Sequence, residues 1–391
     1  MSHYLDFAAT SAVRPPEVVE ATARFLRECG ATPGRGAYDR ALDAGRLALR
    51  CRQAVQWLLG LSGDPDRVAF LFNATQGLNT ALWGVLAPDD AVVVTQYDHN
   101  AVLRPAAYLE RIRGVEVRLL RGTPEGELDL DDAERKMAGA RLVVVNSASN
   151  VLGNRLPLAD LAERAHAAGA LVLVDAAQGA GHMPMTCAAD GADLVAFTGH
   201  KGMLGPQGTG GLWVRPGIEI EPLLRGGSGG DSMPREMPDA MPDRLEAGTL
   251  NAPGIAGLLA GIEVVRSLGV EELHRRGAAL KARLRSGLTA MPGVRVCSPP
   301  ALDGVGIVTL TAARVDPSTL ARRLDREWDV QGRSGLHCAP ETHVLLGTRS
   351  SGALRLSLGW SSTESDVDRA LEGVAAIAGR GAVSTPASST R

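Results

Sequence analysis

Between about residues 65 and 215 the chain keeps returning to short, near-continuous apolar runs. These are Ala91-Val-Val-Val-Thr95, Val115-Glu-Val-Arg-Leu-Leu120, Leu142-Val-Val-Val145, Leu171-Val-Leu-Val174 and Leu194-Val-Ala-Phe197. A strand with one wet face alternates polar and apolar residues. Runs without alternation fit strands buried on both faces, as in a parallel sheet covered by helices. The intervening segments supply those helices: Pro157-Leu-Ala-Asp-Leu-Ala-Glu-Arg-Ala-His166 is amphipathic, with proline at its start and Gly169 just beyond its end. The pattern predicts an α/β fold built on a large, mainly parallel sheet.

The remainder reads differently. Arg225-Gly-Gly-Ser-Gly-Gly230 through Pro242 is rich in Gly, Pro and Met, which predicts a loop, and one long helical pattern runs from about Pro253 to Leu288. After Pro292 come short β-like segments (294–297, 305–310, 354–358) and helices at about 317–327 and 364–378, the makings of a smaller α+β domain. Residues 379–391 read as a disordered tail. With 391 residues, 45% hydrophobic and 22% charged, the chain has the composition of a globular protein of two or three domains.

A net charge of −3 without a basic stripe argues against a nucleic-acid partner. No apolar run approaches the roughly 20 residues that span a bilayer, which argues against a membrane. Met1-Ser-His-Tyr-Leu-Asp6 has no basic or apolar leader, so the cytoplasm is expected. Cys29, Cys51, Cys187, Cys297 and Cys338 are widely spaced with no CxxC pair, so neither a metal nor a disulfide framework is expected.

The 41 basic residues include only three lysines, Lys136, Lys201 and Lys281. Lys136 and Lys281 lie in charged helical stretches and read as solvated. Lys201 instead follows the apolar run ending Phe197-Thr-Gly-His200 and enters the glycine-rich turn Gly202-Met-Leu-Gly205. An ammonium there is poorly solvated. Such an amine has a lowered pKa and can act as an imine former or general base, chemistry that arginine cannot supply. The alternative is an ion-paired or snorkelling structural lysine.

Asp175 ends the run Leu171-Val-Leu-Val174, the place where ligands bind in open α/β sheets, although a helix N-cap is the ordinary reading of such a residue. A lysine together with a strand-end aspartate is what pyridoxal phosphate needs: an amine for its aldehyde and a carboxylate for its ring nitrogen. The phosphate wants helix N-terminal N–H groups and hydroxyls. Ala74-Thr75, opening a helix, and Thr198 with His200 are candidates, and a capping threonine is the ordinary alternative. His99 follows the run at 91–95 and could lie over the ring. Asn150 follows the run at 142–145 and could bind the phenolic oxygen.

Taken together these stretches resemble the class V aminotransferase family, in its cysteine desulfurase and selenocysteine lyase branch. The resemblance rests on Tyr4-Leu-Asp-Phe-Ala-Ala-Thr10, Asn73-Ala-Thr75, Asp98-His99-Asn-Ala-Val-Leu103, Ser149-Asn150-Val-Leu-Gly153 and Val174-Asp175-Ala-Ala-Gln178-Gly179. It continues through Thr198-Gly-His200-Lys201, Glu246-Ala-Gly-Thr249, Arg333-Ser-Gly-Leu-His-Cys338-Ala339 and Leu354-Arg355-Leu-Ser357, in the family's order.

The resemblance implies a type I pyridoxal-phosphate fold with a mainly parallel, seven-stranded type of sheet, acting as a homodimer. Residues 15–260 would form the large cofactor-binding domain, and residues 1–14 with 261–378 a small domain carrying the Cys338 loop. It implies Lys201 as the Schiff-base lysine, Asp175 as the pyridinium partner, and Asn150 and Gln178 as ligands of the phenolic oxygen. His99 would stack on the ring, while Ala74, Thr75, Thr198 and His200 would hold the phosphate, joined by Thr249 from across the dimer interface. Arg355, with Arg333, would bind the substrate carboxylate. Cys338 would be the sulfur-accepting nucleophile, in a polar loop where cations, with His337 adjacent, could favour the thiolate.

The implied activity converts L-cysteine to L-alanine with persulfide formation on Cys338, with selenocysteine or cystine as possible further substrates and a sulfur-acceptor protein as partner. The alternatives are a C–S lyase that yields pyruvate and ammonia by β-elimination on a cysteine conjugate, and a non-catalytic relative. Two features depart from the family pattern. Leu336 stands where many members of the second desulfurase group carry another histidine, and the segment before Glu246 is shorter; both bear on the acceptor rather than on the cofactor site.

Overall fold

A computed structural model describes residues 2–34, 36–228, 233, 235–300 and 303–379. The reading of 379–391 as a disordered tail concerns residues that lie, apart from Gly379, outside the described ones. Strand β1 (His3–Tyr4) is followed by β2 (Val68–Leu71), β3 (Ala91–Thr95), β4 (Glu116–Leu120), β5 (Leu142–Asn146), β6 (Leu171–Asp175), β7 (Leu194–Thr198) and β8 (Gly210–Val214). Beyond these come β9 (Val294–Val296), β10 (Ile307–Ala312), β11 (Val330–Gln331), β12 (Arg333–Gly335) and β13 (Ala353–Ser357).

Strands β2 to β8 form a seven-stranded sheet in the order β2-β8-β7-β6-β5-β3-β4. Neighbours from β7 through β4 are parallel, and β8 runs antiparallel to both β7 and β2. The absence of polar alternation has a direct structural counterpart. Val93, Val143, Val172 and Val195 bury against one layer with helices Asp39–Leu59 and Ala252–Leu268, while Val92, Val144, Leu173 and Leu194 bury against the other with Ala74–Val85 and Asn100–Arg113.

The sequence does not flag β8. Its first residues, Gly210 and Gly211, are weak strand formers, yet they are sterically required. A Cβ on Gly210 would sit 2.6 Å from both Asn73 Cα and the Phe197 carbonyl oxygen, and one on Gly211 would sit 2.3 Å from the Ala69 carbonyl oxygen.

The second sheet is antiparallel, in the order β12-β13-β10-β9. Its core joins Leu5 to Leu284, Leu310, Leu324, Leu354, Leu356 and Val374, and β1 pairs with β11. The long helical pattern from 253 to 288 resolves into two helices, Ala252–Leu268 and Val270–Thr289, bent by 76° at Gly269, whose φ of 80° is left-handed. No single helix among the described residues is long and apolar enough to cross a membrane.

One lysine assignment is corrected. Lys136 faces Asp132 at 3.8 Å on a partly exposed helix, as expected. Lys281 is 1% exposed and donates to the Gly153 carbonyl oxygen at 3.2 Å. It shares the buried face of its helix with Leu284 and Leu288, three and seven residues on, a helical spacing that the surrounding arginines disguise. Burial pushes its pKa down to about 8, against a partial rise from Asp303.

The unfolded chain, with a lysine pKa of about 10.4, therefore binds the proton more tightly between about pH 8 and 10. Lys281's contribution to stability is lost as pH falls through about 8. Lys281→Met is accordingly expected to raise the unfolding midpoint at pH 7 and to lose that advantage by pH 10. An equal loss of stability at both pH values would contradict this account.

Candidate active site

In an open α/β sheet the loops following the C-terminal strand ends enclose the binding crevice, and here they enclose a cavity of about 390 Å³. Strand β6 contributes its last residue, Asp175; β7 ends at Thr198, and the next turn carries His200 and Lys201. Strand β3 leads to His99, which caps helix Asn100–Arg113, and β5 leads to the turn bearing Asn150. Helix Ala74–Val85 presents its N-terminus with Ala74 and Thr75. Gln178 lies in the turn after β6. From the second sheet come Arg333 and Arg355, with Cys338 on the turn after β12.

All twelve of these sequence-derived residues line the one cavity. Thr249 does not. It is exposed in a neighbouring groove of about 190 Å³, beside Phe72 and Gly208.

Burial dominates the electrostatics. It pushes Lys201 down to about 8, with Asp175 opposing that shift and Arg355 adding to it, and it pushes Asp175 upward, with Lys201 opposing. The two groups thus stabilise each other's charge in a place that favours neither. Asp175 Oδ1 accepts from the Ala177 N–H at 2.9 Å. Among the described residues no hydrogen bond or ion pair engages Lys201 Nζ, whose electrostatic partner is Asp175. Behind them Asp98, wholly buried, accepts from the Thr95 N–H at 2.6 Å, and burial pushes its pKa up to about 8.

Burial and the charge of Lys201 push His99, His182 and His200 each down to about 4. His99 Nδ1 accepts from the Ala101 N–H at 2.9 Å, which puts its proton on Nε2. His200 Nδ1 lies 3.1 Å from Thr10 Oγ1. Gln178 donates to the Ala8 carbonyl at 3.0 Å and Asn150 to the His337 carbonyl at 2.6 Å. Among the described residues Thr198 Oγ1 has only a long contact, 3.5 Å, to the Thr209 carbonyl.

Arg333 and Arg355 stand directly opposite each other on β12 and β13, an unfavourable pairing of like charges. Asp6, at the start of the chain, offsets it. One carboxylate oxygen lies 3.1 Å from Arg355 Nη2 and the other 2.9 Å from Arg333 Nη2. Arg355 is 3% exposed, donates through Nη1 to the Asn150 carbonyl at 3.0 Å, and leaves its buried Nε without a partner among the described residues. The guanidinium lines the cavity, where an entering carboxylate meets it.

Cys338 is exposed, whereas Cys51 and Cys187 are buried thiols pushed upward in pKa by burial. His337 and Cys338 both have left-handed backbone, with φ of 50° and 56°. For residues other than glycine such strain costs on the order of 1–3 kcal/mol each and collects at functional sites. Arg333 and Arg355 are cations that share the cavity with the thiol, and the adjacent histidine is not one. Burial, reinforced by Arg355, pushes His337 down to about 3, so it is neutral at ordinary pH.

The aminotransferase class-V family description matches residues 3–370. A probable cysteine desulfurase of Methanothermobacter thermautotrophicus is 34% identical over 387 residues, covering 97% of this chain and 95% of that protein. A cysteine desulfurase of Cronobacter sakazakii is 33% identical over 388 residues, covering 96% and 93%. Among solved structures, an apo cysteine desulfurase from Thermococcus onnurineus superposes with a TM-score of 0.89 at 31% identity, covering 97% of this chain and 95% of that one. The chain belongs to the class-V aminotransferase family. The likeness bears out the fold class expected from the sequence, the type I pyridoxal-phosphate fold.

Within this class-V aminotransferase, sequence reading missed Asp6 and Thr10, whose contacts span more than 180 residues and leave no local pattern. It also missed Asp98 as a buried acid, although the run of apolar residues before it is the signal for a strand end. Removing Asp6 leaves Arg355 buried without a counter-charge. Asp6→Ala is therefore expected to cost about 3 kcal/mol in chemical denaturation. Arg333→Ala, at a half-exposed side chain, is expected to cost less than about 1 kcal/mol. Equal costs for the two would contradict the assignment of Asp6 as the counter-ion of Arg355.

Proposed function

We propose that this chain is a pyridoxal-phosphate-dependent cysteine desulfurase that converts L-cysteine to L-alanine and carries the sulfur as a persulfide on Cys338. The observation that carries this reading is the convergence on one cavity of a half-buried amine, a buried carboxylate, a buried arginine and an exposed thiol.

The residues fit the cofactor. Lys201 Nζ, without a hydrogen-bonding partner among the described residues, is the amine for its aldehyde. Asp175, with Oδ2 unengaged among the described residues, suits its ring nitrogen. Ala74 and Thr75 at a helix N-terminus, with Thr198 and His200, suit its phosphate. Asn150 and Gln178 are assigned to the phenolic oxygen and His99 to the ring. Thr249 would serve the phosphate of a partner subunit in a homodimer. When bound, pyridoxal phosphate supplies a sink for the electrons left at Cα after proton removal.

The chain's own residues do the rest. Arg355, assisted by Arg333, binds the substrate carboxylate and fixes the Cα–H toward Lys201. Lys201 Nζ, with a pKa already pushed down to about 8, takes the Cα proton. His99, protonated on Nε2 and neutral, is placed to exchange a proton at the substrate thiol. Cys338 Sγ then attacks the substrate sulfur. An S–S bond forms as the Cβ–S bond breaks, and the electron pair stays on Cβ, where a proton completes the methyl group of alanine. No external oxidant or reductant is needed. A sulfur-acceptor protein would take the terminal sulfur from Cys338.

Cys338→Ala is expected to keep the yellow colour of the loaded protein while forming neither persulfide nor alanine from L-cysteine. Alanine formation at the wild-type rate would overturn the role of Cys338, and pyruvate with ammonia from the wild-type protein would favour β-elimination.

A further inference from the structure

Cys338 and the residue before it both hold left-handed backbone without being glycine, so the surroundings must enforce that shape. Part of the restraint is main-chain. The Asn150 side-chain Nδ2 donates to the His337 carbonyl at 2.6 Å, and the Asn100 backbone N–H donates to the Cys338 carbonyl at 2.6 Å. The other part is a row of side chains leading away from the turn. His337 Nε2 lies 3.1 Å from the Arg333 carbonyl oxygen, and His337 Nδ1 lies 3.2 Å from His343 Nε2. His343 Nδ1 lies 2.7 Å from Thr348 Oγ1. The two rings stack with centroids 5.4 Å apart. His343 is 0% and Thr348 2% exposed, so water cannot substitute for a lost bond.

The proton positions follow from the end groups. A carbonyl only accepts, so His337 carries its proton on Nε2 and offers a lone pair at Nδ1. His343 must then donate from Nε2, which leaves its own Nδ1 to accept from the Thr348 hydroxyl. One proton arrangement satisfies every member, and it keeps both rings neutral.

We propose that His343 and Thr348 are positioning residues for Cys338: their hydrogen-bonded row fixes the His337 ring, and with it the left-handed turn that holds the thiol at the cavity mouth. Neither residue reaches the cavity lining, and neither exchanges protons with the substrate. The inference rests on reading Cys338 as the sulfur acceptor, because an attacking thiol on an exposed turn gains rate from being held in place.

The test uses the loaded protein with His343→Leu, His343→Gln and Thr348→Val. Glutamine can donate an N–H to His337 and accept from Thr348, whereas leucine can do neither. In His343→Leu, kcat for alanine formation is expected to fall by about tenfold or more, with KM and the cofactor spectrum little changed. His343→Gln is expected to recover to within about threefold of wild type, and Thr348→Val to lose about threefold or more. In wild-type protein carrying 15N-labelled histidine, both rings are expected as the Nε2–H tautomer.

Wild-type kcat in His343→Leu, a glutamine variant as impaired as the leucine one, or an Nδ1–H tautomer on either ring would overturn the proposal. Should His343→Leu fail to fold, Thr348→Val and His343→Gln decide by the same criteria. Alkylation of Cys338 by iodoacetamide separates this proposal from the one beneath it. The alkylation rate is expected to rise by about fivefold in His343→Leu and to return in His343→Gln, whether or not Cys338 proves to accept sulfur. Unchanged alkylation in His343→Leu would also overturn the proposal.

Discussion

The site depends on one electrostatic bargain, the withdrawal from water of the half-buried Lys201 amine and the buried Asp175 carboxylate at the ends of adjacent segments of the parallel sheet. Each is disfavoured as an ion by burial and favoured by the other's charge. The position follows from the fold. A sheet covered by helices on both faces buries its strands throughout, so polar groups from several strands can meet only at the strand ends. Lys201's charge also reaches beyond its partner. It helps hold His99, His182 and His200 neutral, so ring nitrogens near the amine act as hydrogen-bonding groups rather than as competing cations.

A second electrostatic balance joins distant parts of the chain. Arg333 and Arg355 face each other across β12 and β13, and Asp6 lies between them. Arg355 also donates to the Asn150 carbonyl, and Asn150 donates to the carbonyl of His337, next to Cys338. The groups assigned to substrate carboxylate, cofactor oxygen and nucleophile are therefore linked by direct hydrogen bonds. The last of these bonds ends on the carbonyl of the turn that precedes Cys338.

The strand-rich half of the fold was legible because burial on both faces leaves an unambiguous apolar signature at β3, β5, β6 and β7; the edge strand β4, with Glu116 exposed and Val117 to Leu119 half-buried, fits that signature least. Lys201 and Asp175 were legible because their chemistry narrows what such residues can be doing at a strand end. Other features were hidden for identifiable reasons. Strand β8 begins with glycines required by close backbone approach, and these carry little strand signal. Lys281 was disguised by the arginines around it, although its spacing to Leu284 and Leu288 marks the buried face. Gly269 breaks a helical pattern that looks continuous when only apolar spacing is read. Asp6 and the His337–His343–Thr348 row depend on packing between segments. Only the three-dimensional arrangement shows that the histidine beside Cys338 is a neutral hydrogen-bonding group and not a cation.

The central claim is that this cavity moves sulfur from cysteine to Cys338 without eliminating ammonia. The most direct measurement is a single turnover of the loaded wild-type protein with L-cysteine and no reductant, with alanine and pyruvate quantified and the modified peptide located by mass spectrometry. The account predicts alanine equal in amount to sulfur bound on the Cys338 peptide. Pyruvate and ammonia with an unmodified Cys338 would contradict it.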